Sequence, residues 1–128
     1  MKLLLDTCTF LWVVTASSDL SLKVRALVAA PENEVYLSAV SAWEIVVKHQ
    51  LGRLPLPAPP LEFVTEQRKL HEIESLALQE NAIAQLSRLP DYHNDPFDRM
   101  LICQAITHGM SLLTPDKSIS QYPVLTIW

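Results

Sequence analysis

Short apolar runs and helix-patterned segments alternate along this chain from one end to the other, the pattern of an α/β domain with a largely parallel sheet. Lys2 to Leu5 is a nearly unbroken apolar run, suited to a central strand covered on both faces, and Asp6 ends it. Helical spacing starts near Thr9, with Phe10, Leu11 and Val14 on one face. It returns from Ser21 to Ala30, with Leu22, Val24, Leu27 and Val28 inward, and stops at Pro31. Glu34 to Ser38 reads as the next strand, and Ser41 to Leu51 as a helix closed by Gly52. The prolines between Leu54 and Pro60 make a rigid connection. Leu61 to Leu70 and Leu78 to Leu89 read as amphipathic helices, with a weak strand near Ile73 to Leu76 between them. A helix after Asp95 runs to about His108 and stops at Gly109, and Met110 to Leu113 and Val124 to Ile127 read as the last two strands.

One core suffices for this length. At 128 residues, 49% hydrophobic and 19% charged, the chain has the usual size of a single domain, so residues 1–128 are expected to form one unit. The apolar start is broken by Asp6 and has no small-residue cleavage site, so it does not read as a signal peptide. No stretch is long and apolar enough to span a bilayer. Cys8 and Cys103 lie far apart without CxxC spacing; they give no support to a zinc or redox motif and read as buried thiols in a reducing cytoplasm. The net charge of −4 argues against a free-standing basic nucleic-acid binder. It does not exclude a nuclease, because cations held by carboxylates reverse the local sign where a phosphate sits.

Four acids carry the candidate chemistry. Asp6 stands at the carboxyl end of the first strand, where open α/β sheets place their ligands; capping the next helix is an equally good reading of it alone. Glu44 lies on an apolar helix face with Val40, Trp43 and Val47. Its structural explanations are a capping box from Ser41 to Glu44 and a pair with Lys48 one turn later. Asp95, followed by Pro96, reads as a helix N-cap, which leaves Asp98 in the first turn. Asp116 follows another strand and a Thr-Pro step, where a turn or short-helix cap is the competing role.

All four follow a parallel strand directly or lie early in the helix after one, so a doubly wound sheet brings them to one edge. Two carboxylates about 4 Å apart repel by roughly 1 kcal/mol in water and about 4 kcal/mol near a protein surface. A cation offsets that. Oxygen-only ligands select a hard ion, Mg²⁺ with Mn²⁺ as substitute, and disfavour zinc. The chemistry that suits such a site is phosphodiester hydrolysis with water as nucleophile.

In LLLDTCTFLW, LSAVSAWEIVVKHQLGRL and HNDPFDRMLICQAITHGMSLLTPDKSI the chain resembles the PIN-domain proteins, and closely the VapC-type toxin ribonucleases of type II toxin–antitoxin pairs. The resemblance covers essentially the whole chain and implies an α/β/α sandwich. It implies that Asp6 and Asp98 are the firmest metal ligands and that Glu44 and Asp116 complete the site directly or through water. It further implies RNA as substrate, a small inhibitory antitoxin as partner, and a homodimer. Cys8 stands where related chains often carry His or another residue, outside the acid set.

Arg99 and Lys48 lie close enough to the acids in sequence to contact RNA phosphates, although exposed basic residues on helices usually pair with neighbouring acids. Ser38 and Thr7 are candidate donors to the acids, with strand-end and cap roles as the alternative. His49, His71, His93 and His108 show no metal spacing and no nucleophile partner, and read as surface or packing residues. Two other readings compete. In a non-catalytic interaction module the acids would serve only capping and pairing. A phosphotransfer site would want a second acid two residues after Asp6, and that position is Cys8.

Overall fold

The apolar run Lys2–Leu5 forms β1 at the middle of a five-stranded sheet in the computed structural model, which describes residues 1–128. With β2 (Glu34–Ser38), β3 (Glu74–Leu76), β4 (Ser111–Leu113) and β5 (Thr126–Ile127), the order across the sheet is β3-β2-β1-β4-β5. Every neighbouring pair is parallel, with Leu3 opposite both Val35 and Ser111. The chain therefore winds one way from β1 through β2 to β3, then returns to the other side of β1 for β4 and β5. Such a reversal opens a crevice at the strands' carboxyl ends, here beside β1 and β4.

Strand alternation sends Leu3 and Leu5 to one face and Leu4 to the other, and both faces are covered. On the first face Phe10 of α1 (Thr7–Val14), Val24 of α2 (Leu22–Ala29), and Phe63 and Val64 of α4 (Pro60–Leu70) close over Leu3, Leu5, Leu37 and Leu113. On the second, Leu101, Ile102 and Ala105 of α6 (Pro96–His108) cover Leu4 and Leu112. Each such side chain contributes roughly 1.5–3 kcal/mol when fully buried. The helix α3 (Ala39–Gln50) serves both sides, sending Val40 to the second cluster and Ile45 to the first. The short α5 (Glu80–Gln85) packs on α6. The result is the expected α/β/α sandwich around a parallel sheet. No helix is long and apolar enough to cross a membrane.

Two helices depart from their expected bounds for local reasons. Ser38, not Ser41, caps α3, its hydroxyl accepting from the Val40 N–H at 3.0 Å. The helix thus begins at Ala39, Ser41 lies inside it, and no capping box holds Glu44. The segment expected to be one helix from Leu78 to Leu89 is six residues of α5 followed by a 3₁₀ turn, Leu86–Arg88. Gln79 offers α5 no side-chain cap, and Leu89, which precedes Pro90, is extended (φ −77°, ψ 129°), as a residue before proline prefers. By contrast, α6 has a full set of end signals. Asp95 caps it, Pro96 opens it, and Gly109 closes it in the left-handed region (φ 64°, ψ 40°).

Candidate active site

Asp6, Glu44, Asp98 and Asp116 all line one cavity of about 360 Å³, together with Thr7, Cys8, Lys48, Arg53 and Asp95. The elements that bring them there are the carboxyl ends of β1 and β4 and the early turns of α1, α3 and α6. Asp6 and Glu44 are buried, Asp98 is half-buried and Asp116 is exposed.

For three of the acids, capping and site-lining are not alternatives, because each uses one oxygen for the local role. Asp6 Oδ1 accepts from the Thr9 N–H at 2.9 Å and from the Cys8 thiol at 3.4 Å. Asp95 Oδ1 accepts from the N–H groups of Phe97 and Asp98 at 2.9 and 3.1 Å. Asp116 Oδ1 accepts from both the N–H and the hydroxyl of Ser118, at 2.9 and 2.7 Å. The second oxygen of each remains for other work. Asp95, assigned to the cap alone on sequence grounds, thus keeps that role and is also a fifth acid of the cavity.

Glu44 is held on both sides. Its Oε1 accepts from the Thr7 hydroxyl at 2.6 Å, and its Oε2 pairs with the Lys48 ammonium. The single Thr7 proton goes to the carboxylate, so the contact with Ser41 at 3.0 Å is completed by the Ser41 hydroxyl donating to Thr7. Thr7 is therefore a donor to an acid, as expected for one of its two roles. Ser38 is not: it caps α3 and donates to Gln104 Oε1 at 2.5 Å.

Asp98 differs from the rest in having no hydrogen-bond donor on either oxygen. Burial, then the charges of Asp95, Asp6, Glu44 and Asp116, push its carboxyl from 3.8 up to about 7. The five acids of the cavity outnumber its two basic groups, Lys48 and Arg53, and Lys48 is already paired with Glu44, so the place beside Asp98 welcomes a hard divalent cation. The donor set fits such an ion.

Lys48 and Arg53 line the cavity and are the basic groups available to an incoming phosphate. The pair with Glu44 holds the Lys48 ammonium above its usual range. Arg99 is placed elsewhere: its Nη1 donates to the Pro90 carbonyl at 2.9 Å and to the Tyr122 hydroxyl at 3.2 Å, and lies 3.7 Å from Asp91. That arginine straps the loop before α6 and is not free for RNA.

Cys8 is the one thiol in the cavity. Burial first, then the Asp6 charge and the hydrogen bond to Asp6, push its thiol up to about 12. A thiol so raised stays protonated and is a poor nucleophile. Iodoacetamide at pH 8 is therefore expected to leave Cys8 unlabelled in the metal-free folded chain and to label it after denaturation, as peptide mass mapping will show. Rapid labelling of the folded chain would contradict this environment.

His93 is the residue that sequence reasoning missed. It packs against Tyr122, one of its expected roles, and in addition has a ring nitrogen grouped with oxygens of Asp98 and Asp116, all three atoms within 4.8 Å of one another. A signal was present: His93 lies two residues before the Asp95 cap, in the loop that enters α6, and such a loop faces the same edge as the helix's first turn.

The chain belongs to the PIN domain family, whose model matches residues 3–125. It is 38% identical over 53 residues to ribonuclease VapC16 of Mycobacterium tuberculosis, a match that spans 41% of this chain and only 38% of that protein. It is 25% identical over 130 residues to ribonuclease VapC22 of the same organism, covering 98% of this chain and 97% of the relative. Among solved structures, VapBC2 from Rickettsia felis, bound to a DNA fragment from the promoter, superposes with a TM-score of 0.74 over 100% of this chain and 99% of that one. At 13% identity, that likeness speaks for the fold alone.

Proposed function

We propose that this chain is a VapC-type toxin, an endoribonuclease that cleaves RNA phosphodiester bonds with water at Asp6, Glu44, Asp98 and Asp116. The observation that carries the reading is the gathering of these acids, drawn from both ends of the chain, into one cavity around the donor-less carboxyl of Asp98. The sequence likeness to two proteins named as VapC ribonucleases supports the same substrate. Asp6 and Asp98 are the leading ligands for Mg²⁺, or for Mn²⁺ in its place; Glu44 and Asp116 complete the set. The ion supplies activation of water and charge balance for the crowded phosphorus and the leaving oxygen. The chain's own residues do the positioning: the α1 and α6 termini fix Asp6 and Asp98, Thr7 aims Glu44, and the Ser118 donors orient Asp116.

The same reading assigns a small antitoxin protein as inhibitor and a homodimer as the working form. Both rest on the likeness to the VapC ribonucleases and on this chain's superposition with VapBC structures and with a toxin–antitoxin complex from Klebsiella pneumoniae.

Incubating the purified chain with total RNA, with and without Mg²⁺, and mapping new 5′ ends tests the proposal. Discrete cuts that vanish on chelation are expected. Intact RNA under all conditions, with no heat of Mn²⁺ binding by calorimetry, would instead favour a non-catalytic interaction module.

A further inference from the structure

We propose that His93 is a further catalytic residue of this site, a hydrogen-bond donor whose Nε2–H holds an oxygen of the scissile phosphate beside Asp98 and Asp116. The inference rests on the nuclease reading and adds to it a group outside the four acids. His93 Nε2 is buried and has no hydrogen-bond partner, although a ring nitrogen of this residue lies within 4.8 Å of oxygens of both aspartates. Buried polar atoms left unpaired are costly, and an unpaired one on a ring that borders two of the cavity's carboxylates is a place for a ligand atom.

A histidine can serve such a site in two ways, as a bare nitrogen on the cation or as an N–H donor to an anion. Tyr122 decides between them. Its hydroxyl oxygen already receives the Tyr92 N–H at 3.1 Å, the His93 N–H at 3.0 Å and Arg99 Nη1 at 3.2 Å. With three N–H groups on the oxygen, the phenolic proton turns to the acceptor that remains in reach, His93 Nδ1 at 3.4 Å. A neutral ring that accepts at Nδ1 carries its proton on Nε2, and a charged ring carries one on both nitrogens. Nε2 is a donor in either form. Histidines that ligate metals do the reverse, binding through a bare nitrogen while the other N–H donates.

With Nδ1 committed to Tyr122, Nε2 is the ring nitrogen left without a partner on the chain. The Tyr122 ring, tilted at 55° with its centroid 5.3 Å from that of His93, holds the imidazole in place. Neither aspartate takes the Nε2 proton: Asp98 has no donor at all, and Asp116 receives only Ser118. The donor is therefore preorganised and unclaimed at a position where a phosphodiester placed between the acids presents its oxygens. Donors aimed in this way lower the energy of charge that develops during reaction.

The test uses the full chain and an oligoribonucleotide spanning one mapped cut site. His93→Phe is expected to lower kcat on the order of 10- to 100-fold while leaving Mn²⁺ affinity by calorimetry within about twofold. His93→Gln, whose amide N–H reaches about the same position, is expected to recover most of the rate. In wild-type chain with ¹⁵N-labelled histidine, long-range ¹H–¹⁵N spectra should place a proton on Nε2 of His93, and saturating Mg²⁺ should leave it there. A bare Nε2 that shifts on Mg²⁺ addition, or a tenfold loss of Mn²⁺ affinity in His93→Phe, would make His93 a metal ligand and overturn the proposal. Unchanged kcat in His93→Phe would overturn it while leaving the nuclease reading intact. A wild-type chain that neither binds Mn²⁺ nor cuts RNA would remove both.

Discussion

Asp98→Asn is expected to abolish Mg²⁺-dependent RNA cleavage and, at the same time, to stabilise the metal-free chain at pH 8. On the proposed function, the loss of activity, on the order of 10³-fold or more, follows from removing a leading ligand of the ion. The gain in stability follows from the raised Asp98 carboxyl. Its folded-state value of about 7 lies above the ordinary 3.8, so between these values the folded chain keeps a proton that the unfolded chain has released. Stability therefore falls as pH climbs through that window, and the full penalty stands above it. Allowing for solvent screening at the open mouth of the cavity, the penalty is about 1–3 kcal/mol. Thermal melts in EDTA should show the wild type losing more stability than Asp98→Asn between pH 5 and pH 8, and Mg²⁺ should raise the wild-type melting temperature at pH 8. Cleavage that persists in the variant would remove Asp98 from the reaction. An identical pH dependence in the two proteins would remove the electrostatic account.

Phe10→Ala should remove a large fraction of the stability of the fold. Phe10 is fully buried where α1 meets Leu3, Leu5 and Leu113, and it is among the largest side chains with no exposure. Its truncation costs about 3–5 kcal/mol, against a total of about 5–15 kcal/mol for a typical domain. A urea titration followed by far-ultraviolet circular dichroism should show the midpoint falling sharply with little change in slope. The same residue anchors the helix whose first turn carries Thr7 and Cys8 and whose cap is Asp6, so cleavage should fall with the folded fraction. A midpoint within experimental error of wild type would mean that the α1 side of the core does not carry the fold.

The strands and the long helices were legible because their signals are local. Leu3, Leu4 and Leu5 announce a doubly covered strand, and Asp95, Pro96 and Gly109 announce both ends of α6. The cap of α3 was misread by three residues because Ser38 and Ser41 are chemically alike; only the strand that delivers Ser38 in an extended conformation decides between them. The α5 region failed for the opposite reason, an apolar pattern without end signals to set its length. At the site, the acids could be placed because each follows a strand or opens a helix. No periodicity governs the loop from Pro90 to Asn94, so the positions of His93 and of the Arg99 strap depend on Tyr122, which lies 29 residues beyond His93 and which sequence spacing cannot see. Sequence did not decide between cap and ligand for Asp6 and Asp116, and the structure shows why: one oxygen meets the local donors and the other is left over.

The sheet order has a consequence for the history of the chain. β1, the first strand in the sequence, is flanked by β2 and β4, and the last of the proposed ligands, Asp116, comes after β4. During synthesis the amino-terminal half therefore waits with one side of its first strand unpaired until more than a hundred residues have been added. A nascent or prematurely terminated polypeptide carries Asp6 and Glu44 but lacks the other half of the cavity. If the nuclease reading holds, the activity is absent from every product that stops before Asp116, and a competent enzyme exists only once that residue has been added and β4 has paired with β1.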